Sequence, residues 1–366
     1  MHDEIKIRKD EHIYVVLEND VESKATTWLE CVILIHKSLP EIDFNTIDTT
    51  AKLFEREFNA PILIEGMTGG TKTAAMINKN LATIAEEYRI PMGLGSQRIA
   101  LTHPDVEWTF RVARENAPNA FLIGNIGAPQ LKEITINDLE KIISIIEANA
   151  LAIHLNPLQE VVQLSGDTDY SNILAKIKEL TETLKIPVII KETGAGISKE
   201  VAQALIDAGV KAIDIAGVGG TSWSAVEYYR AKKRQETNKA RLGELFWDWG
   251  IPTAASILEV KSVITNNVYL IASGGIRTGL DACKAIVLGA DFVGMARPLL
   301  APALKGAKEL RRFINTFLLE LKTTMFLTGS HNIEDLKKVN FVILSPLKDW
   351  IKQRRLNIRG VTENVF

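Results

Sequence analysis

The fold of this chain is decided by two stretches near its C-terminal end, Ala272-Ser273-Gly274-Gly275-Ile276-Arg277 and Asp291-Phe292-Val293-Gly294-Met295-Ala296-Arg297. Each is a short apolar run that ends in small residues, which is typical of a buried parallel strand opening into a tight loop. Gly274 and Gly275 allow backbone N–H groups to approach an anion, and a helix that starts just beyond adds the positive end of its dipole. Two such loops in succession indicate the phosphate-binding end of a (β/α)8 barrel, formed after its seventh and eighth strands.

The rest of the chain supplies the other strands that such a barrel needs. Apolar runs of strand length lie at 61–65, 91–95, 121–125, 151–154, 187–191, 212–216, 269–273 and 291–295. The first four begin about thirty residues apart, which is the length of one βα unit, and helical patterns such as Asp138–Glu147 and Ser198–Ala208 lie between strands. We therefore predict an α/β fold, a TIM (β/α)8 barrel over residues 61–302.

Two extensions flank the predicted barrel. Residues 1–60 form an N-terminal extension and residues 303–366 a C-terminal one. Amphipathic patterns predict C-terminal helices at Leu304–Thr328, Ile333–Lys338 and Leu347–Arg354. We expect these helices to pack on the barrel or on a partner subunit.

The composition narrows the class of protein. The 366 residues are 46% hydrophobic and carry a net charge of −2, so no overall field favours nucleic acid or a membrane surface. Cys31 and Cys283 match neither a metal-binding spacing nor a disulfide framework. The N-terminus lacks the apolar core of a signal peptide, and no run of 18 apolar residues occurs. We expect a soluble, cytoplasmic protein.

Polar residues and glycines follow the predicted strands, where the reactive groups of a barrel lie. Lys191 ends an otherwise apolar strand. It fits a lysine that snorkels to the rim, a Schiff-base lysine, or a fixed cation at the N1–C2=O edge of a reduced flavin. The neighbouring phosphate loops favour the flavin, because flavin mononucleotide needs both groups. Asn125 and Thr68 are then candidate partners of its pyrimidine edge.

The densest polar loop is His154-Leu155-Asn156-Pro157-Leu158-Gln159-Glu160. His154 fits either a core histidine with a satisfied hydrogen bond or a catalytic group. Glu160 fits either a carboxylate at the start of a helix or a ligand of Mg²⁺, with a substrate diphosphate and waters supplying the other oxygens. Arg98 follows a strand and is a candidate anion ligand. From composition alone, Arg8-Lys9 and His12 are predicted to lie in a solvated N-terminal tail.

These residues together resemble a known family, the type 2 (FMN-dependent) isopentenyl-diphosphate isomerases. The resemblance covers nearly the whole chain. Its motifs are Arg8-Lys9 with His12, His36 with Leu39-Pro40, Gly66–Gly70, Ser96-Gln97-Arg98, His154–Glu160, Lys191-Glu192, Gly217–Trp223, Pro252–Ser256, Ser273–Arg277 and Gly294–Ala296. The His-Leu-Asn-x-x-Gln-Glu run, together with Met-Thr-Gly-Gly and Ser-Gln-Arg, is the most specific part.

The resemblance implies an isomerase of isoprenoid biosynthesis that uses reduced FMN, Mg²⁺, and NADPH or NADH as reductant. It implies a homotetramer or homo-octamer. The implied catalytic residues are His154, Gln159, Lys191 and Trp223. The implied FMN contacts are Met67, Thr68, Gly69, Gly70, Ser96, Asn125, Lys191, Thr221, Gly274, Gly275, Ile276, Arg277, Ala296 and Arg297. The implied substrate contacts are Arg8, Lys9, Ser96, Gln97, Arg98, His154, Asn156 and Gln159, with Glu160 on Mg²⁺.

The chain departs from the family pattern at one loop, where Leu164-Ser165 replaces the usual Pro-Glu. Two other functions stay open at this point. An FMN oxidoreductase shares the phosphate loops and the lysine of the fifth strand, but a hydroxyacid oxidase needs a late catalytic histidine, and no histidine occurs between His154 and His331. A non-catalytic phosphate-binding barrel would not explain why the loop from His154 to Glu160 carries so many polar side chains.

Overall fold

The computed structural model describes residues 2–264 and 267–358, with side chains from Ile7 onward. The strands are β1 Val32–Leu34, β2 Ala51–Leu53, β3 Arg56–Phe58, β4 Ile62–Ile64, β5 Met92–Gly93, β6 Leu122–Gly127, β7 Ala150–His154, β8 Val188–Lys191, β9 Ala212–Asp214, β10 Tyr269–Ala272, β11 Phe292–Met295 and β12 Phe341–Ile343. The helices are α1 His2–Glu18, α2 Lys72–Tyr88, α3 Arg98–Thr102, α4 Trp108–Asn116, α5 Ile136–Ile146, α6 Pro157–Val162, α7 Ile173–Thr183, α8 Lys199–Asp207, α9 Trp223–Lys233, α10 Thr237–Leu245, α11 Thr253–Lys261, α12 Gly279–Val287, α13 Arg297–Lys305, α14 Ala307–Thr328, α15 Ile333–Leu336 and α16 Leu347–Arg354.

Strands β4 to β11 close into a parallel barrel in sequence order, and β11 pairs with β4 to complete the ring. All eight lie at the predicted runs, so the TIM-barrel prediction is confirmed. The strands are apolar along almost their whole length because the barrel core covers one face and the surrounding helices cover the other. At least one helix follows each strand, as a βα repeat requires.

A hairpin closes the end of the barrel opposite the candidate site. Strands β2 and β3 pair with each other, and Phe58 at the end of β3 contacts Phe121 and Phe292. Both partners lie at the N-terminal ends of barrel strands. The hairpin therefore fills the bottom of the barrel with aromatic side chains and leaves the C-terminal end of the strands for the site.

The two extensions meet outside the barrel. Strand β1 pairs antiparallel with β12, so the two ends of the sequence share a small sheet. Helix α14 packs against α2, α12 and α13, and α1 packs against α9. None of the described helices is long and apolar enough to cross a membrane.

The predicted helix Leu304–Thr328 is wrong at its start. The structure has two helices there, α13 and α14, with Gly306 between them. Gly306 has φ +114°, a conformation that a helical residue does not adopt. The predicted helices at 138–147, 198–208, 333–338 and 347–354 are present with ends that differ by one or two residues.

Candidate active site

A cavity of about 380 Å³ opens at the C-terminal ends of the barrel strands. Its volume is in the range of pockets that hold small molecules. It brings together most of the residues that the sequence singles out: Arg8, Lys9, Met67, Thr68, Ser96, Arg98, Asn125, His154, Asn156, Gln159, Glu160, Lys191, Thr221, Trp223, Gly274, Gly275, Ile276, Arg277, Ala296 and Arg297.

Three of the predicted site residues do not line this cavity. Gly69 and Gly70 lie in the turn before α2, where the Gly70 N–H donates to Thr109 Oγ1 at 2.8 Å. Gln97 is fully buried in the barrel wall; its Nε2 donates to the Ile142 carbonyl at 3.0 Å and its Oε1 accepts from the Asn125 N–H at 3.2 Å. The prediction that Gln97 contacts the substrate is corrected here. Both ends of its side-chain amide form hydrogen bonds with backbone atoms and stabilise the barrel wall.

The loops after β10 and β11 form the first cationic group of the cavity. Gly274 has φ +91°, and a Cβ there would lie 2.1 Å from the Gly217 carbonyl oxygen, so only glycine allows the loop after β10 to approach the loop after β9. Arg277 lies 2.9 Å from the Glu22 carboxylate, and Arg297 pairs with the same carboxylate. We call Arg277 and Arg297 the barrel arginines. They converge on one point at the start of α13, where a helix N-terminus adds to the attraction for an anion.

The segment before β1 is tied to the loop after β9 and carries the carboxylate that pairs with the barrel arginines, which the sequence did not reveal. The Ser23 N–H donates to the Gly220 carbonyl at 2.7 Å, and the Ser222 N–H donates to the Val21 carbonyl at 2.8 Å. Glu22 lies between these bonds and brings the barrel arginines together. No local pattern in the sequence marks Glu22, because its partners lie more than 250 residues away.

The centre of the cavity contains Lys191 between two acidic side chains. Its Nζ lies 2.9 Å from Asp214 Oδ2 and 3.1 Å from Glu65 Oε2. Burial alone lowers the pKa of Lys191, but the two carboxylates outweigh it and raise the pKa above its usual value. Lys191 is therefore a fixed cation, which excludes the neutral amine that a Schiff-base lysine requires.

His154 and Asn125 form a hydrogen-bonded pair beside Lys191. His154 Nδ1 lies 2.7 Å from Asn125 Oδ1. Because an amide oxygen only accepts, the proton is assigned to Nδ1, and Nε2 keeps its lone pair. Burial, together with Lys191 and Lys9, lowers the pKa of His154 to about 3. His154 is therefore neutral at neutral pH.

Glu160 is held by its own loop. Its Oε1 accepts from Asn156 Nδ2 at 2.9 Å, and its Oε2 accepts from the Asp167 N–H at 2.8 Å and from Gln163. Burial raises the pKa of Glu160 despite these donors. The loop thus keeps the carboxylate at the cavity even though Leu164-Ser165 replaces the usual Pro-Glu. Among the described residues, no three His, Cys, Asp or Glu side chains cluster as a metal site.

Two helices provide the second cationic group of the cavity. Arg8 and Lys9 lie on α1, and Arg98 is the first residue of α3; we call these three residues the helix cations. Lys9 Nζ donates to the Ser96 carbonyl at 2.9 Å. Arg98 pairs with Asp167 at 2.6 Å. Burial and the neighbouring Arg8 lower the pKa of Lys9 to about 7. Burial, followed by Arg230, lowers the pKa of Arg8, whereas Glu160 opposes the shift. Arg8 and Lys9 are therefore desolvated cations, with Glu160 near Arg8, whereas Arg98 is partly exposed and has its carboxylate partner in Asp167.

A hydrogen bond and an ion pair attach α1 to the barrel helix α9. His12 Nε2 lies 2.9 Å from Glu227, and Glu11 lies 3.1 Å from Arg230. The His12 ring also meets the edge of Trp223, with 5.2 Å between ring centroids. The structure therefore places Arg8 and Lys9 at the cavity and not in a solvated tail.

Comparison with known proteins identifies the class first. The profile of the FMN-dependent dehydrogenase family matches residues 140–342. The fold is similar to the flavin-binding domain of baker's yeast flavocytochrome b2, with TM-score 0.67 and 18% identity over 95% of this chain and 85% of that one. A mandelate oxidase variant with a monooxide FMN adduct gives TM-score 0.59 and 16% identity over 91% and 92%. The chain is a member of the FMN-dependent dehydrogenase family, and the two structures support the fold alone.

The nearer relatives define the family more narrowly. An isopentenyl-diphosphate delta-isomerase from Pyrococcus abyssi is 48% identical over 97% of this chain and 96% of its own length. One from Methanothermobacter thermautotrophicus is 46% identical over 96% of this chain and 97% of its own length. The chain belongs to the isopentenyl-diphosphate delta-isomerase family and is an enzyme, which confirms the resemblance found in its sequence.

Proposed function

We propose that the protein interconverts isopentenyl diphosphate and dimethylallyl diphosphate in isoprenoid biosynthesis, with reduced FMN and Mg²⁺. One observation carries the proposal: a single cavity combines the barrel arginines, a buried lysine at its centre and the helix cations beside Glu160. Such a cavity offers separate sites for the phosphate of a cofactor and the diphosphate of a substrate.

The residues present fit FMN. The barrel arginines and the Gly274-Gly275 loop suit its phosphate, since guanidinium groups and backbone N–H groups bind phosphate well. Lys191, Asn125 and Thr68 suit the polar edge of its ring, and Glu65 Oε1 is a buried oxygen without a partner in the described chain. The FMN contacts are completed by Met67, Ser96, Thr221, Ile276 and Ala296. Reduced FMN supplies an electron-rich ring that exchanges protons.

The helix cations fit the substrate diphosphate. Arg8, Lys9 and Arg98 would each form a charge-assisted hydrogen bond to it. Glu160 would bind Mg²⁺ between itself and the diphosphate, with waters completing the coordination, because Mg²⁺ is commonly held by one or two carboxylates plus phosphate oxygens. The absence of a three-residue metal cluster in the described chain agrees with such a shared site.

The reaction adds a proton to one carbon of an alkene and removes a proton from another, so no net oxidation occurs. His154 stays neutral and orients Asn125, while Gln159 lines the space for the reacting carbons. Trp223 offers its ring face to positive charge that develops on the substrate. Lys191 favours the anionic form of a reduced flavin. NADPH or NADH serves to reduce the flavin, and the assembly is a homotetramer or homo-octamer in the cytoplasm.

The proposal is tested by FMN uptake followed by product analysis. The purified protein should become yellow with FMN and should convert isopentenyl diphosphate once the FMN is reduced under anaerobic conditions with Mg²⁺ present. EDTA should abolish the conversion without releasing FMN. A colourless protein that takes up no FMN, or a reduced holoenzyme that leaves isopentenyl diphosphate unchanged, would contradict it.

A further inference from the structure

A buried acid lies under the cavity, and the proposed function does not use it. Glu65 directly follows β4, and its side chain is only 7% exposed. Its Oε2 lies 3.1 Å from Lys191 Nζ, whereas its Oε1 is buried and without a hydrogen-bond partner in the described part of the chain. A buried carboxylate oxygen with no donor is costly, and such atoms need a physical reason.

The charges around Lys191 supply that reason. One ammonium faces two carboxylates, Glu65 and Asp214, and two like charges at such distances do not both ionise in a buried site. Asp214 has the better set of donors, because Ser273 Oγ donates to it at 2.5 Å and Lys191 at 2.9 Å. Burial and the neighbouring Asp214 raise the pKa of Glu65 to about 8, against the opposing effect of Lys191. At neutral pH the extra proton resides on Glu65.

The other titratable groups near this pair are accounted for. Glu192 follows Lys191, but its carboxylate accepts from the backbone N–H groups of residues 193–195, and burial raises its pKa to about 7. His154, on β7, is neutral because its pKa is lowered to about 3. On the side of β10 and β11 the neighbours are Ser273 and Gly294, which carry no charge.

The free oxygen of Glu65 lies against Gly294 in the cavity lining. A Cβ on Gly294 would lie 2.1 Å from Glu65 Oε1, so only a glycine at 294 leaves room for this oxygen. Both residues line the cavity. Because Glu65 and Lys191 both line the cavity, a proton on the Glu65 carboxyl group lies close to the space where the cofactor ring would bind.

We propose that Glu65 is a positioning residue of the cofactor site, which holds Lys191 in place and, above neutral pH where it is ionised, binds a proton when the flavin beside it is reduced. The proposal deepens the proposed function and rests on FMN occupying this cavity. Reduction to the anionic flavin uses two electrons and one proton and leaves one more negative charge at the site. That charge opposes the ionisation of Glu65, so an ionised Glu65 takes a second proton from solvent.

The number of protons bound per two electrons tests this directly. It is obtained from the pH dependence of the midpoint potential of the FMN-loaded protein, with dithionite as the electron source. The wild type should bind one proton per two electrons near pH 6.5, because Glu65 is then protonated in both redox states. The number should rise towards two between pH 8 and 9.5, where Glu65 is ionised only before reduction.

Two isosteric variants make the assignment specific. Glu65→Gln cannot ionise and should bind one proton per two electrons over the whole range. Glu192→Gln removes a third buried carboxyl near Lys191, which makes no ion pair with it, and should behave as the wild type. A wild-type value of one throughout, a rise that persists in Glu65→Gln, or a rise lost only in Glu192→Gln would overturn the proposal.

A second measurement needs no redox change. In oxidised holoenzyme, the infrared band of a protonated carboxyl group should disappear between pH 7 and pH 9.5, and Glu65→Gln should lack this band at both pH values. A band that titrates equally in the variant overturns the assignment to Glu65. A protein that binds no FMN would overturn the proposed function as well, whereas bound FMN without the second proton overturns this inference alone.

Discussion

The barrel arginines lie just after barrel strands, whereas two of the helix cations come from α1, which precedes the barrel. Arg277 and Arg297 share a carboxylate partner, Glu22, whose segment is tied to the loop after β9 by backbone hydrogen bonds. Lys9 has a carbonyl partner and a pKa lowered to about 7. In our proposal the first group binds a resident phosphate. The second contains Arg8 and Lys9, which are desolvated and therefore gain most when a multiply charged ligand binds.

The largest expected effect comes from Glu160, which belongs to the helix-cation side. Glu160→Gln keeps the size of the side chain but removes the charge that Mg²⁺ prefers. We expect turnover to fall on the order of 100-fold or more, with partial recovery at high Mg²⁺. Steady-state rates at several Mg²⁺ concentrations measure this. FMN affinity should be unchanged, and Asp169→Asn, which alters an exposed carboxylate of the same loop, should retain activity. An unaltered Mg²⁺ dependence would show that Glu160 does not bind the metal.

The next prediction separates the two cationic groups. Replacing Arg8 and Lys9 by Ala should raise KM by about 10- to 100-fold, because each lost charge-assisted hydrogen bond contributes about 1.5–3 kcal/mol. The FMN dissociation constant should not change. Arg277→Ala should do the reverse and weaken FMN by about 10-fold or more. Parallel titrations with FMN and with substrate measure both affinities in each variant. Equal effects of the two variants on FMN affinity would contradict the distinction between the two cationic groups.

The pH dependence of substrate binding sharpens the contrast further. Lys9 is charged below pH 7 in the free protein and loses its proton above it, so diphosphate binding above pH 7 must recover that proton. We expect the affinity of the holoenzyme for dimethylallyl diphosphate to fall by up to about tenfold per pH unit above pH 7. Lys9→Arg stays charged and should lose this part of the pH dependence. Identical profiles for the two proteins would show that Lys9 does not titrate in this range.

The smallest expected effect lies on the barrel-arginine side. Glu22 repels the phosphate that the barrel arginines attract, but its side chain is 39% exposed and solvent screens the repulsion. Glu22→Gln should therefore tighten FMN by only about threefold. Fluorescence titration with FMN measures the change. Weaker FMN binding in the variant would mean that Glu22 acts by orienting the arginines rather than by competing with the phosphate.

The barrel strands could be predicted from the sequence because each strand is specified by a short local pattern of residues. Each barrel strand is a short apolar run that ends in glycine or a polar residue, and the phosphate loops follow directly from Gly274 and Gly275. Strand β12 was not predicted, since its pairing with β1 joins residues some 300 positions apart. Gly306 was overlooked as a helix break because the pattern on both sides is helical.

Residues of the candidate site could be predicted where they directly follow strands. They could not be predicted where their contact partners lie far away in the sequence. His154, Lys191 and Glu160 were found from their positions in the chain. The placement of Arg8 and Lys9 came only from the family resemblance, because their contacts with Ser96 and Glu160 depend on how α1 docks. Glu65 appeared as the last residue of an apolar run, and nothing local shows that its carboxylate turns towards Lys191.

The central claim, that a reduced flavin serves a reaction without net oxidation, is tested most directly by counting reductant against product. The account predicts no turnover with oxidised FMN, and many turnovers after a single anaerobic reduction by NADPH, NADH or dithionite. In D₂O, deuterium should enter both the product and the recovered substrate, because protonation is reversible. One reductant consumed per product, or full activity with oxidised FMN, would contradict it.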